Sequence, residues 1–168
     1  TRLAVYSCLA SHLALEHMYG IERRLMRQKL FGVYCHDILT PDPLTEGCEY
    51  VVRAPHSRWG EVSSRQFDGT DVDVLIEGFE VDWLLARRKR NKGISIFLQG
   101  HPEYGQFDLQ LEYERDRNAG QMVPHKYYPN DDPGLFPSSS WPCDSLQLFK
   151  TIGQYAHSTA VLHVRQLQ

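Results

Sequence analysis

The sequence predicts an α/β fold, in which a β-sheet is flanked by helices. Short apolar runs of strand type alternate with segments whose apolar residues recur at helical spacing, and such alternation favours this class. The chain has 168 residues, of which 42% are hydrophobic and 23% are charged. This length and composition fit one domain with a sizeable buried core.

The first predicted elements are a strand, a sharp turn and a helix. Residues 3–7 form a short apolar run, Cys8 follows it, and apolar residues at helical spacing continue to about Tyr19, where Gly20 ends the helix. The remaining predicted elements are strands at residues 31–39, 49–53 and 72–77, a hairpin formed by residues 82–87 and 93–98, helices at 106–119 and 145–157, and an ordered irregular loop at 124–142. The basic run at residues 87–92 is expected at the solvated turn of the hairpin.

The number of strands and helices is low for a complete doubly wound domain. A strand that begins at residue 3 and carries a reactive group at its end is normally central in a parallel sheet. The chain offers no obvious parallel partner for this strand. We therefore expect residues 1–168 to form a single domain that is the C-terminal part of a larger α/β domain, and to aggregate or show little activity alone.

Charge and composition exclude several classes of protein. There are 18 basic and 21 acidic residues, so the net charge is -3, and no basic cluster of the kind that binds nucleic acid is present. No apolar stretch approaches the ~20 residues that span a bilayer. The four cysteines include no CxxC pair, which argues against a structural zinc site. Sparse cysteines without a secretory signal favour a cytoplasmic protein, and no metal site is predicted.

Three side chains suggest nucleophilic catalysis. A thiol at a strand-to-helix turn, where Cys8 is placed, is exposed to the positive end of the helix. His101 and Glu103 follow the predicted strand at residues 93–98; the imidazole can take a proton from the thiol, and the carboxylate can orient the imidazole. The alternative for Cys8 is a small buried core residue. A lone histidine after a strand is usually structural.

Longer motifs resemble one family. They are Gly32-Val33-Tyr34, His36, Ala54-Pro55-His56-Ser57-Arg58, Gly100-His101-Pro102-Glu103-Tyr104, Glu112-Tyr113-Glu114-Arg115-Asp116, Tyr127-Tyr128-Pro129, Asp131-Asp132-Pro133 and Trp141. These segments resemble the homoserine O-succinyltransferases, whose acetyl-using members are homoserine O-acetyltransferases. The resemblance implies a flavodoxin-like sheet of the class I glutamine amidotransferase type, of which this chain is the C-terminal portion. Residues 1–141 are the family-like core, and residues 142–168 are a divergent helix and tail.

The resemblance also implies roles for individual residues. Cys8 matches the acyl-accepting nucleophile, His101 the general base and Glu103 its orienting carboxylate. Four further positions match substrate-binding residues: Lys29, Ser57, Glu112 and Arg115. Glu112 and Arg115 are three residues apart, so they share a helix face, and the alternative is a simple intrahelical salt bridge. His12, one turn after Cys8, departs from the family pattern and is either a second basic group or a polar contact.

The activity implied is transfer of a succinyl or acetyl group from acyl-CoA to the hydroxyl of L-homoserine or a close analogue, through a Cys8 thioester, in methionine biosynthesis. Acyl-CoA is then a co-substrate, no bound cofactor is expected, and the family implies a homodimer. Two alternatives remain open: a glutamine amidotransferase-like hydrolase with the same triad, and a truncated relative without activity. The sequence does not distinguish the acetyl from the succinyl donor, or homoserine from a serine-like acceptor.

Overall fold

In the part of the chain that the structure describes, six strands form one sheet, and helices pack against it. The computed structural model describes residues 2–90, 93–121, 126–137 and 139–165. The strands are β1 (Arg2–Ser7), β2 (Arg24–Ile38), β3 (Val51–Glu61), β4 (Val72–Gly78), β5 (Asp82–Arg90) and β6 (Gly93–Leu98), and the helices are α1 (Leu9–Tyr19), α2 (Asp108–Asn118) and α3 (Pro142–Arg165). The strand order is β1-β6-β5-β4-β2-β3. The predicted α/β class, with a sheet flanked by helices, is confirmed.

β1 has a parallel partner within the chain, so the expectation that it lacks one is wrong. It pairs with β6 in parallel register from Arg2 opposite Gly93 to Ser7 opposite Leu98, whereas the other strand pairs are antiparallel. Since parallel strands end at the same edge of a sheet, the residues that follow Ser7 and Leu98 meet there. This pairing brings Cys8 and His101 to one end of the sheet. That the chain belongs to a larger domain stays a prediction.

The first helix forms as predicted. α1 ends at Gly20, which has a left-handed φ of 69° and donates its backbone N–H to the Glu16 carbonyl. Leu15 on its buried face packs in a cluster with Trp83 and Phe97 of the sheet. A glycine suits this position because a left-handed backbone costs it no Cβ clash.

Several elements are longer than predicted. β2 begins at Arg24 rather than residue 31, and β3 continues to Glu61 rather than ending near residue 53. The early part of β2 is charged and mostly exposed, so it shows no apolar alternation, and its pairing with β3 is what makes it a strand. β5 likewise extends to Arg90. Two arginines that were predicted to lie in a turn form ion pairs instead: Arg87 with Asp42 and Asp73, and Arg88 with Asp71.

Two further predictions concern the second half of the chain. The predicted irregular loop at 124–142 is mostly without regular structure, apart from a short 3-10 turn at Pro129–Asp131; residues 122–125 and 138, like residues 91–92 of the predicted hairpin turn, lie outside the described residues. α3 begins at Pro142, where the predicted helix began at residue 145. No helix in the described part of the chain is long and apolar enough to cross a membrane.

The core lies on both faces of the sheet because side chains alternate along each strand. On β6, Ile94, Ile96 and Leu98 pack in the cluster that holds Leu148 and Ile152 of α3, while Phe97 packs in the cluster beneath α1. A third, aromatic cluster joins α2 to the segment before α3; its buried members are Phe31, Leu109, Tyr113, Tyr127, Tyr128 and Trp141. This third cluster fixes α2 next to the loop that follows β6.

Candidate active site

Cys8 occupies a strained turn between β1 and α1. Its backbone has φ 47° and ψ -113°, a conformation that costs a residue with a side chain about 1–3 kcal/mol. The turn is held by its backbone N–H, which donates to the Leu98 carbonyl at 2.7 Å. The thiol is half-buried and lies at the N-terminus of α1, whose backbone dipole favours negative charge.

His101 lies in the turn that follows β6, and hydrogen bonds fix both its backbone and its imidazole. Its backbone N–H donates to the Pro55 carbonyl at 2.7 Å. Its Nδ1 is 2.9 Å from Glu103 Oε1, and the Ser7 hydroxyl donates to that same oxygen at 3.0 Å. The Glu103 carboxylate is thus held by Ser7 of β1 and by His101 of its own turn, and it can orient the imidazole as the sequence predicts.

The hydrogen bonds within the triad favour the charged forms of His101 and Glu103. Burial alone would lower the pKa of His101, but hydrogen bonding to the Cys8 and Glu103 side chains outweighs it and raises the pKa to about 9. Burial opposes ionisation of Glu103 as well, yet the hydrogen bond with His101 dominates and the pKa of Glu103 is lowered. Glu103 is therefore a carboxylate at neutral pH, and it stabilises an imidazolium next to Cys8.

The four predicted substrate-binding residues also meet. Lys29 of β2, with its amine buried, lies 3.3 Å from Glu112 Oε2 and 2.5 Å from Asp116 Oδ2 of α2. The Ser57 hydroxyl of β3 donates to Glu112 Oε2. Burial would raise the pKa of Glu112, but hydrogen bonds from Ser57 and Tyr104 and the charge of Lys29 lower it. β2, β3 and α2 thus build one polar cluster around an ionised Glu112.

Arg115 pairs chiefly with Asp116 rather than with Glu112. Its Nε and Nη2 donate to Asp116 Oδ1 at 2.9 and 2.8 Å, while Nη2 is 3.8 Å from Glu112 Oε2. The intrahelical pair considered from sequence is therefore present, but as the weaker contact. The Arg115 side chain is 62% exposed, so a ligand carboxylate can still reach its guanidinium.

Tyr104 connects the triad with the cluster around Glu112. Its ring stacks on His101 with centroids 4.3 Å apart, and its hydroxyl donates to Glu112 Oε1 at 2.9 Å. The sequence analysis assigned no role to Tyr104, Asp116 or Ser7, although the position of each relative to a predicted site residue could have indicated one. Tyr104 follows Glu103 directly, Ser7 precedes Cys8, and Asp116 lies four residues after Glu112 on the same helix face.

Buried histidines support the turn that carries His101. The His36 Nδ1 lies 3.1 Å from the Val52 carbonyl, His36 Nε2 lies 3.0 Å from His56 Nε2, and Arg58 donates to His56 Nδ1 at 3.4 Å. One set of neutral tautomers satisfies this whole chain of contacts. A Cβ on Gly100 would lie 2.9 Å from His56 Nε2, so only glycine lets the turn approach this closely.

His12 is a buried polar contact and not an exposed second base. It is 2% exposed, and its Nε2 is 2.9 Å from Gln99 Oε1, which also accepts the Val62 backbone N–H. Burial lowers the pKa of His12 to about 4 despite the hydrogen bond to Gln99. His12 therefore stays neutral, and its contact with Gln99 stabilises the position of α1 over the end of β6.

Several known proteins have sequences similar to this chain. The family model of Homoserine O-succinyltransferase matches residues 1–161. A homoserine O-succinyltransferase of Pseudoalteromonas atlantica is 35% identical over 148 residues, which are 86% of this chain and 48% of that protein. A homoserine O-acetyltransferase of Thermotoga petrophila is 36% identical over 140 residues, which are 82% of this chain and 45% of that protein. The chain spans about half the length of these curated relatives.

A solved structure gives the fold. The crystal structure of a glutamine amidotransferase from Thermotoga maritima superposes with a TM-score of 0.53 at 13% identity, over 69% of this chain and 48% of that one. At this identity the likeness shows the fold alone, and it confirms the class I glutamine amidotransferase-like architecture predicted from the motifs. The match of the family model over residues 1–161, together with relatives at about 35% identity, shows that the chain belongs to the homoserine O-succinyltransferase family.

Proposed function

We propose that this protein is a homoserine O-acyltransferase that works through an acyl thioester on Cys8. The observation that carries the proposal is the contact between two groups: the Cys8–His101–Glu103 triad and the cluster around Glu112 are joined by the side chain of Tyr104. A nucleophile that accepts an acyl group and a site that binds an amino acid must adjoin for transfer between them. The names of the relatives support homoserine as the acceptor and a succinyl or acetyl group as the group transferred.

In the first half-reaction the thiol accepts the acyl group. His101 takes the proton of Cys8, the sulfur attacks the thioester carbonyl of acyl-CoA, and the CoA thiolate leaves with the proton returned by His101. Glu103 stabilises the imidazolium while it holds this proton. Acyl-CoA is a co-substrate in this scheme, and no bound cofactor takes part.

In the second half-reaction the acyl group moves to the acceptor hydroxyl. The exposed guanidinium of Arg115 binds the α-carboxylate of homoserine, and Glu112 receives the α-ammonium. His101 then takes the proton of the hydroxyl, whose oxygen attacks the Cys8 thioester, and the released Cys8 sulfur regains the proton. Lys29 keeps Glu112 and Asp116 ionised for this purpose.

Relatives with both succinyl and acetyl names are similar to the chain, so the proposal covers both donors. It places the protein in methionine biosynthesis. We also expect a cytoplasmic homodimer, as the family resemblance implies. Turnover measured with each donor tests the range of donors, and the molecular mass in solution tests the homodimer.

The test separates the two half-reactions. The complete protein is purified, mixed with succinyl-CoA or acetyl-CoA, quenched at low pH, and mapped by mass spectrometry. Acyl label is expected on Cys8, and homoserine should discharge it. Cys8→Ser should abolish the label, whereas the matched control Cys35→Ser, at an exposed cysteine of β2, should not. Label on another cysteine, or turnover without label, contradicts the proposal. Release of ammonia from glutamine with no dependence on CoA would favour the hydrolase alternative.

A further inference from the structure

Tyr104 has a fixed backbone and a side chain that touches both halves of the site. Its N–H donates to the His101 carbonyl at 3.0 Å, and its own carbonyl accepts the Trp141 indole N–H at 2.9 Å. Trp141 is fully buried in the aromatic cluster that supports α2. The Tyr104 backbone is therefore tied on one side to the triad and on the other to the core.

The hydroxyl of Tyr104 has a distinct task at Glu112. Among the described residues, Glu112 Oε2 accepts from Ser57 and Lys29, while Tyr104 is the donor to Oε1. A carboxylate held at one oxygen alone can still turn about its terminal torsion. The Tyr104 hydrogen bond removes this freedom and sets the direction in which the ionised carboxylate faces a ligand.

The ring of Tyr104 has a second task at His101. It lies 4.3 Å from the imidazole at an interplanar angle of 23°, so it covers one ring face while Glu103 holds the Nδ1 edge. Face and edge contacts together define both the position and the rotation of the imidazole. An aromatic face also attracts a cation, so this stacking favours the protonated form of the histidine.

We propose that Tyr104 is a positioning residue with two separable functions: its hydroxyl orients Glu112 for the amino group of the acceptor, and its ring orients His101 for both half-reactions. The inference rests on the proposed function for the role of the hydroxyl. The role of the ring concerns His101 itself and can be measured without turnover. Substitution therefore gives different results depending on which part of the side chain is removed.

The experiment compares Tyr104→Phe and Tyr104→Leu with Tyr127→Phe. The last variant is a matched control, because Tyr127 donates a similar hydrogen bond to the Gln106 carbonyl at 2.8 Å within the same aromatic cluster. Acylation of Cys8 is followed by CoA release in a single turnover, and the acceptor step by its dependence on homoserine concentration. A hydrogen bond to a charged group justifies an expected rise of about 10-fold in KM for homoserine in Tyr104→Phe.

Tyr104→Phe should keep the rate of Cys8 acylation within about 2-fold, and Tyr127→Phe should change neither step. Tyr104→Leu should slow both steps by about 10-fold or more, since a positioned base contributes at least that much. NMR titration of His101 adds an independent readout: its titration should move to lower pH in Tyr104→Leu and stay in place in Tyr104→Phe. A structural role alone would leave this titration unchanged.

Equal loss in both half-reactions for Tyr104→Phe, or a loss matched by Tyr127→Phe, overturns the role of the hydroxyl. An unchanged His101 titration in Tyr104→Leu overturns the role of the ring. If the complete, unmodified protein forms no acyl-Cys8, the proposed function fails instead, and the acceptor role of the hydroxyl fails with it. The titration still decides the role of the ring in that case.

Discussion

Three buried neutral histidines should make the fold sensitive to acid well above the range in which carboxylates titrate. His12 and His36 are 2% and 1% exposed, and His56 is fully buried. Burial lowers the pKa of His12 and of His36 to about 4, and it lowers that of His56 as well. The perturbation is a change from pH 7 to pH 5, in which the unfolded chain gains protons on these histidines while the folded chain does not.

The sign follows from proton linkage. Above pH ~6.5 these histidines are neutral in both the folded and the unfolded state, so their burial costs no stability. As the pH falls, proton uptake stabilises the unfolded state, until the folded histidines titrate as well near pH 4. With 2.3RT of about 1.4 kcal/mol per unit, each of His12 and His36 lowers the free energy of unfolding by about 2 kcal/mol between pH 7 and 5. His101 acts in the opposite sense, since its pKa is raised to about 9, and it offsets about 1 kcal/mol over this range.

The assay is urea denaturation at pH 7, 6 and 5. His12→Gln keeps an N–H donor for Gln99 without a titrating group, so it should reduce the loss of stability between pH 7 and 5 by about 2 kcal/mol. His17→Gln, at an exposed histidine of the same helix, is the matched control and should leave the loss unchanged. A free energy of unfolding that stays constant from pH 7 to pH 5, or an identical loss in His12→Gln, would refute the reasoning.

The remaining predictions concern the candidate site. Glu103→Gln should lower the pKa of His101 from about 9 by about 1 unit, because a carboxylate that favours the imidazolium is removed; NMR titration of His101 measures this, and an unchanged pKa contradicts the contact. Arg115→Lys should slow acyl transfer to homoserine roughly 10-fold and leave Cys8 acylation intact, since an ammonium cannot form the bidentate pair; equal damage to both half-reactions would indicate a structural role. Cys8→Gly should be more stable to heat or urea than Cys8→Ala by about 1 kcal/mol, because glycine adopts a φ of 47° without a Cβ clash; the opposite order would show that the turn carries no strain.

Local features of the site were readable from the sequence. A short apolar run, a cysteine and a helix ended by glycine predict the turn at Cys8, because each signal depends on residues that are neighbours along the chain. The closeness of His101 and Glu103 follows from a separation of two residues after a strand. The common helix face of Glu112 and Arg115 follows from helical spacing, and motif resemblance supplied the family.

Only the tertiary structure decided how these segments meet. The parallel register of β1 with β6 brings Ser7 to Glu103 across 96 residues, and the long pairing of β2 with β3 brings Lys29 and Ser57 to α2. Contacts of this kind depend on strand order and register, which are set by burial of both sheet faces at once and not by any short pattern. The sequence determined that Tyr104 directly follows the triad carboxylate. Its stacking on His101 and its hydrogen bond to Glu112 depend on the tertiary structure, because they form only when the core fixes α2 beside the turn after β6.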